Sequence, residues 1–171
     1  MKSVVVIFIA GLLIGVAALA TFNGVMHYTS TDDFCGSSCH EMSSGPLQSL
    51  QQTAHYSNAH GLSAGCADCH IPREFGPKML RKIEASREVW GHFNGLIDTP
   101  EKYAAHRPAM RERELRRIRA NDSQECRNCH SLERMDFEAQ SRAVRRYHRG
   151  MVERGKTCID CHEGIAHPDA G

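Results

Sequence analysis

The chain has 171 residues, a formal net charge of +1 and only 6% aromatic residues. That length suits one domain or two small ones, and so few aromatics make a thin side-chain core, so something other than side chains must fill the interior. No stretch reads as a nucleic-acid motif.

Residues 4–22, VVVIFIAGLLIGVAALATF, carry no charge. A helix of that length spans about 28 Å, close to the hydrocarbon thickness of a bilayer. Lys2 favours an N-terminus on the inner side, with the long hydrophilic remainder outside the cytoplasm. The competing reading is a cleaved secretory signal, for which Ala18-Leu19-Ala20 offers a small-x-small site. Against it, the apolar run is longer than a usual signal core and its basic flank is a single lysine. The expectation is a single-pass anchor over residues 1–24 and an exported domain over 25–171. Gly11 and Gly15 form a G-x-x-x-G pair, a weak basis for a homodimer through the anchor.

Beyond the anchor, all eight cysteines fall into four pairs: Cys35/Cys39, Cys66/Cys69, Cys126/Cys129 and Cys158/Cys161. Each pair is followed at once by a histidine: His40, His70, His130 and His162. In Cys-x-x-Cys-His the thiols bond covalently to the porphyrin and the adjacent imidazole reaches its iron, so the pattern marks c-type haem attachment. Zinc sites, redox dithiols and disulfides use cysteine pairs too, but none of them requires a histidine after every pair. The chain therefore reads as a carrier of four covalent haems c. Each oxidised haem adds about one negative charge, so the near-neutral polypeptide becomes an acidic holo-protein. The first site alone spaces its cysteines by three residues, FCGSSCHEM, and Met42 follows two places after His40.

The first cysteines of successive pairs, at 35, 66, 126 and 158, leave two short intervals around one double interval. That spacing points to two dihaem halves, roughly 30–76 and 121–171, joined by a helical insert over 77–120. Within the insert, Pro77 suits a first helical position, and Met79, Ile83, Trp90, Phe93 and Ile97 form an apolar stripe at helical spacing. Thr99-Pro100 is a cap-then-proline restart. Residues 109–120, AMRERELRRIRA, form a further helical segment with five arginines. Those arginines read as a solvated face, as partners for haem propionates, or as contacts for lipid headgroups or an acidic partner. With no convincing strand pattern, the expected fold is mainly α with extensive loops wrapped around haems.

Seven histidines lie outside the four motifs: His27, His55, His60, His92, His106, His148 and His167. A six-coordinate haem suited to electron transfer needs a second strong ligand, whereas an open face suits substrate chemistry. His167 follows His162 too closely to wrap round the same porphyrin, so it fits a neighbouring haem and would tie the two halves together. His55, eleven residues before Cys66, and His148, ten before Cys158, are further candidates.

The runs NDSQECRNCH (121–130), GKTCIDCHEGIAH (155–167), HYSNAHG (55–61) and EVWGHFNGLIDT (88–99) resemble the NapC/NirT family of membrane-anchored tetrahaem cytochromes c that oxidise quinol. The resemblance covers essentially the whole chain. It implies that Met42 competes with His40 for the first haem, and that Asp98 lies over that haem's other face beside the quinol. It implies distal ligands in His55 for the fourth haem and His167 for the third, with His148 a candidate for the second. Relatives often carry a lysine six residues before the aspartate, where this chain has His92, so the quinol pocket should differ in pH dependence. An extra residue between Cys35 and Cys39 lets the loop bulge and shift His40. A thioether in its place would raise the haem potential.

The function implied is electron transfer from the quinol pool of a bacterial cytoplasmic membrane to a soluble periplasmic reductase. Periplasmic nitrate reductase, or its small cytochrome subunit, is the expected acceptor, with nitrite and trimethylamine N-oxide reductases as others. A different class of function is a small multihaem reductase acting directly on nitrite or hydroxylamine at an open haem. A third, non-redox reading is a zinc scaffold or a haem carrier for cytochrome maturation.

Overall fold

The computed structural model describes residues 2–168. Among them are nine α-helices and no strands. The first helix, α1 (Lys2–Tyr28), is apolar throughout, with mean hydropathy 2.8 in its most apolar window and no residue buried. It runs unbroken through Ala18-Leu19-Ala20, and Gly11 and Gly15 have open space above them. A helix with an apolar surface on every side suits lipid as its surroundings.

Four short helices follow: α2 (Asp32–Ser37), α3 (His40–Ser43), α4 (Pro46–Gln51) and α5 (Cys66–His70). Thr31 caps α2, its hydroxyl accepting from the Phe34 amide. Asp32 in the first turn of α2 accepts from the Cys66 amide at 2.7 Å, and so holds the start of α5 against α2. That contact needs a glycine before Cys66, because a Cβ on Gly65 would stand 2.6 Å from the Asp32 carboxylate.

Two long helices form the insert. The first, α6 (Phe75–Phe93), begins two residues ahead of Pro77, which sits inside its first turn. The helix ends in a Schellman motif: the Leu96 amide donates to the Gly91 carbonyl, the Gly95 amide donates to the His92 carbonyl, and Gly95 takes φ +74°. Thr99 then caps α7 (Pro100–Ala120) as the sequence predicts, with Pro100 in its first turn. The segment expected at 109–120 is the second half of this one helix. Pro108 does not break it, because a proline inside a long helix forfeits a single backbone bond that the turns on either side outlast.

The apolar stripe of α6 does not face a core. Ile83, Trp90 and Phe93 are 69%, 71% and 78% exposed, and Ile97 alone of the predicted stripe is buried, beyond the end of the helix.

After α7 come α8 (Gln124–Arg127), α9 (Arg142–Arg149) and single 3-10 turns at Leu132–Arg134 and Cys158–Asp160. The turn from α7 into α8 is made by two left-handed residues, Asp122 and Ser123, with φ 56° and 53°. Ser123 is fully buried, and its hydroxyl accepts from the Ile159 amide at 3.2 Å. A small core of Leu115, Ile118 and Ile159 lies beneath this bond.

The five arginines of residues 109–120 fill neither a plain solvated face nor a lipid-facing one. Arg113 pairs with Glu88 of α6, Arg117 with Glu114 and with Glu125 of α8, and Arg119 with Asp160 and Glu163. Arg111 also reaches Glu163, and only Arg116 stays at the surface beside Glu112. Arginine forks match carboxylates in pairs, so this helix joins α6, α8 and the C-terminal turn through charge where apolar contact is scarce.

Candidate haem and quinol sites

Each of the four motifs starts on a short helical piece: Cys35 on α2, Cys66 on α5, Cys126 on α8 and Cys158 on a 3-10 turn. Cys66, Cys69 and His70 all lie on α5. At the first site the extra residue splits the motif. Cys35 lies on α2, Cys39 is extended with φ −129° and ψ 138°, and α3 starts afresh at His40. The bulge expected from the spacing is a break between two helices. None of the eight cysteines is in a disulfide.

Cys35, Cys39, Cys66, Cys69, Cys126 and Cys158 are half-buried by the polypeptide, whereas Cys129 and Cys161 are exposed. The reason is local. Each of the two is the second cysteine of its motif and falls just past a short element, α8 ending at Arg127 and the 3-10 turn ending at Asp160. No neighbouring turn of the chain covers either side chain there. At the second site, by contrast, Cys69 stays inside α5, which packs against both α2 and α8.

The sites adjoin one another in chain order. Helix α2 packs on α5 and α5 packs on α8, which carries Cys126. The Cys126 thiol in turn lies against that of Cys158. Burial pushes the Cys66 thiol up to about 12, with Asp32 and Cys35 adding to it.

Each motif histidine faces a second imidazole. The ring centres of His40 and His92 are 5.8 Å apart, those of His70 and His167 6.2 Å, of His130 and His55 6.1 Å, and of His162 and His148 6.2 Å. Two imidazoles bound at about 2.0 Å on opposite sides of one metal put their ring centres about 6 Å apart. Four such pairs, each next to a thiol pair, fit four haem irons held between two histidines. Two of the pairs, His70 with His167 and His130 with His55, join the first half of the chain to the second.

This pairing differs from the one implied by resemblance. His55 stands opposite His130 of the third site, His167 opposite His70 of the second, and His148 opposite His162 of the fourth. The resemblance offers no spatial information of its own, whereas the fold sets His55 and His167 each beside a motif histidine of the other half.

Hydrogen bonds at the Nδ1 atoms orient several of these rings. His70 Nδ1 meets Glu114 Oε1 at 2.7 Å, His167 Nδ1 meets the Ser49 hydroxyl at 2.9 Å, and His148 Nδ1 meets Gln140 Oε1 at 2.9 Å. His92 Nδ1 meets Glu41 Oε1 at 2.6 Å. With Nδ1 so engaged, Nε2 is the nitrogen left for a metal, which is the usual division of labour in histidine ligands. In half-buried His55 the Nδ1 atom is itself buried and has no protein partner. Burial, reinforced by His70 and Arg107, lowers the His167 pKa to about 4, so that ring is neutral at pH 7, as a ligand must be.

His92 stands at the first site. Its Nδ1 is held by Glu41 and its ring faces His40. Glu41 is 2% exposed; burial works to raise its carboxyl, yet the hydrogen bond from His92, a backbone hydrogen bond and the nearby His40 and His92 together lower it. His40, Glu41 and His92 together bring three ligand atoms within 4.8 Å of one another. The first site differs from the others in one more respect. His40 Nε2 lies 3.0 Å from the backbone carbonyl of Asp98, while half-buried Met42 follows on α3.

The Asp98 side chain turns away to Lys102, whose Nζ is 2.7 Å from Oδ1 and 2.9 Å from the Gly95 carbonyl. The Asp98 side chain is 37% exposed, and the bond from Lys102 holds its carboxyl below the usual carboxylate range. Lys102 was not singled out in the sequence, although its place four residues after Asp98, just past a helix cap, is the spacing at which such a pair forms. Glu114 was missed as well. Burial works to raise its carboxyl, but His70, Arg117 and Arg81 together hold it far below the usual range.

The sequence matches the NapC/NirT cytochrome c family, N-terminal region, over residues 1–170. It is 47% identical over 161 residues to the cytochrome c-type protein NapC of Escherichia coli K12, covering 94% of this chain and 80% of that one. The denitrification system component NirT of Stutzerimonas stutzeri matches at the same identity and coverage. Among solved structures, a chain of the cytochrome c nitrite reductase NrfHA complex bound to the HQNO inhibitor superposes with a TM-score of 0.51 at 24% identity, covering 94% of this chain and 90% of that one. That last likeness speaks to the fold. With four thiol pairs, four facing imidazole pairs and an apolar N-terminal helix that fits a membrane anchor, this chain belongs to the NapC/NirT family of electron-transfer cytochromes, with haem c bound covalently.

Proposed function

We propose that the chain takes electrons from membrane quinol and delivers them to a soluble periplasmic reductase, either periplasmic nitrate reductase itself or its small cytochrome subunit. The haem domain then lies on the outer face of a bacterial cytoplasmic membrane, with Lys2 on the inner side. The observation that carries the reading is the grouping of Asp98, Lys102 and His40 at the first site, beside the end of the apolar helix. When bound, haem supplies the one-electron chemistry.

The chain's own residues handle ligand and proton. His70 with His167, His130 with His55 and His162 with His148 would hold three irons. His92 and His40 would hold the first, with Glu41 fixing the ring of His92 and Met42 as the competing donor to His40. Asp98 is the proton acceptor, kept ionised by Lys102, and the ammonium of Lys102 offers a donor to a quinol oxygen. Imidazole pairs beside the second, third and fourth motifs argue against a reductase working at an open haem there, since each pair would offer two ligands to a bound iron.

The test uses the full haem-loaded protein in vesicles containing a reduced quinone analogue. Haem absorption should change to the reduced form, and added periplasmic nitrate reductase with nitrate should reverse it. Reduction by dithionite but never by quinol would refute the quinol step. Turnover of nitrite or hydroxylamine by the protein alone would favour the reductase reading.

A further inference from the structure

Helix α6 is amphipathic in an inverted sense. Three of its charged or ionisable residues face the protein: Arg81 pairs with Glu114, Glu88 with Arg113, and His92 with Glu41. Its apolar residues Phe75, Leu80, Ile83, Trp90 and Phe93 point outward, and each is more than half exposed. For a helix on a water-soluble surface the arrangement should be the reverse. An outward apolar stripe of this extent calls for an occupant.

Two contacts say which one. Phe75, on the outward face, meets Phe22 of α1 with ring centres 6.4 Å apart. Lys82 Nζ is tied to Thr29 at the end of α1, 2.9 Å from its carbonyl oxygen and 2.8 Å from its hydroxyl. At 1.5 Å per residue the 27 residues of α1 span about 40 Å, and the hydrocarbon layer takes about 30 Å of that. Phe22 therefore stands near the level where acyl chains give way to headgroups. The outward face of α6 starts at that level and continues directly from the membrane-spanning surface of α1. A Trp and Phe pair on that face, flanked by exposed Arg87, has the make-up of a helix lying in the headgroup boundary.

We infer that α6 lies on the bilayer with Ile83, Trp90 and Phe93 among the outermost acyl groups, so that the domain rests on the membrane along a second helix and does not swing freely on α1. This inference depends on α1 crossing the membrane and is independent of the quinol reaction. Residues at the end of α6, His92 and the Gly95–Asp98 loop among them, would then sit at the lipid surface.

A photoreactive benzoylphenylalanine in place of Ile83, Trp90 or Phe93 tests it in the full haem-loaded protein. The protein is reconstituted in phosphatidylethanolamine–phosphatidylglycerol vesicles, illuminated and analysed by mass spectrometry. Leu13 on α1 serves as the positive control and Tyr147, a similarly exposed aromatic on α9, as the negative one. Haem content of each variant reports whether it has folded. Lipid adducts at 83, 90 and 93 with none at 147 are expected. Adducts at 13 but none on α6, equal labelling at 147, or adducts joining two copies of the chain at 90 would each overturn the inference. Quinol-driven haem reduction, measured on the unsubstituted protein, separates failure here from failure of the proposed function.

Discussion

Lys102 reaches back one helical turn to Asp98, with its Nζ 2.7 Å from the carboxylate. The pair is exposed, so its effect on stability is small, but it sets the protonation of the one acidic side chain at the first site that faces solvent. In Lys102→Met the Asp98 carboxyl should rise toward the ordinary range. A carboxylate that must be ionised to accept a proton is lost as pH falls through its pKa, so the acid-side decline of quinol oxidation should move to higher pH. Asp98→Asn should abolish quinol-driven haem reduction while dithionite still reduces every haem. A pH profile of the initial rate in vesicles measures both, and an unmoved acid limb in Lys102→Met would exclude the pair from proton handling.

The facing of His40 and His92 leads to a second expectation. His92→Ala should convert one haem of the four to a high-spin form, visible by electron paramagnetic resonance. Met42→Leu should leave the spectrum unchanged, because the imidazole pair alone fills both axial positions. A high-spin signal from Met42→Leu would transfer that role to the thioether.

Glu41 acts on the same iron through His92. A carboxylate hydrogen-bonded to Nδ1 makes the imidazole a stronger donor and favours the ferric state. Glu41→Gln keeps an acceptor there but removes the charge, so one of the four midpoint potentials should rise. A redox titration followed by haem absorption would detect it, and four unchanged potentials would count against the contact.

The ion-pair web of α7 should be a main support of the fold. Glu114→Gln leaves Arg117, Arg81 and His70 poorly paired in a half-buried setting, and a cost of about 3 kcal/mol is expected. Glu114 and Glu125 both have lowered folded pKa values, with burial opposing and their arginine and histidine partners prevailing. Groups of this kind contribute fully above their unfolded pKa, about 4.3, and the contribution is lost as the pH falls from there. The thermal midpoint of the haem-loaded protein should therefore drop on acidification below about pH 4, and the drop should be smaller in Glu114→Gln.

The attachment chemistry was legible in the sequence because it is local: thiols, imidazole and spacing sit within six residues. The Thr99 cap and the apolar anchor were legible for the same reason. How far each thiol is enclosed was not, because Cys129 and Cys161 share their motif with Cys69 and differ from it only in what the rest of the chain lays over them. Which imidazole faces which motif was hidden too, since His55 and His130 lie 75 residues apart and only the folded chain brings them together. The stripe on α6 was visible as a period of apolar residues, but periodicity does not say whether a face meets protein or lipid. The arginines of α7 were visible as charge, while their partners, Glu88, Glu125, Asp160 and Glu163, are scattered through other elements. Asp98 was found by resemblance and its lysine was not, because resemblance pointed to position 92 for the cation and the structure supplies it from α7.

Among the described residues only seven hydrophobic side chains are buried. A polypeptide with so little to pack gains little by closing up before its prosthetic groups arrive. Maturation and folding should then be a single event in which each thioether made draws another stretch of chain inward. A copy that misses even one haem would keep part of its chain open and be cut sooner by proteases than the complete protein.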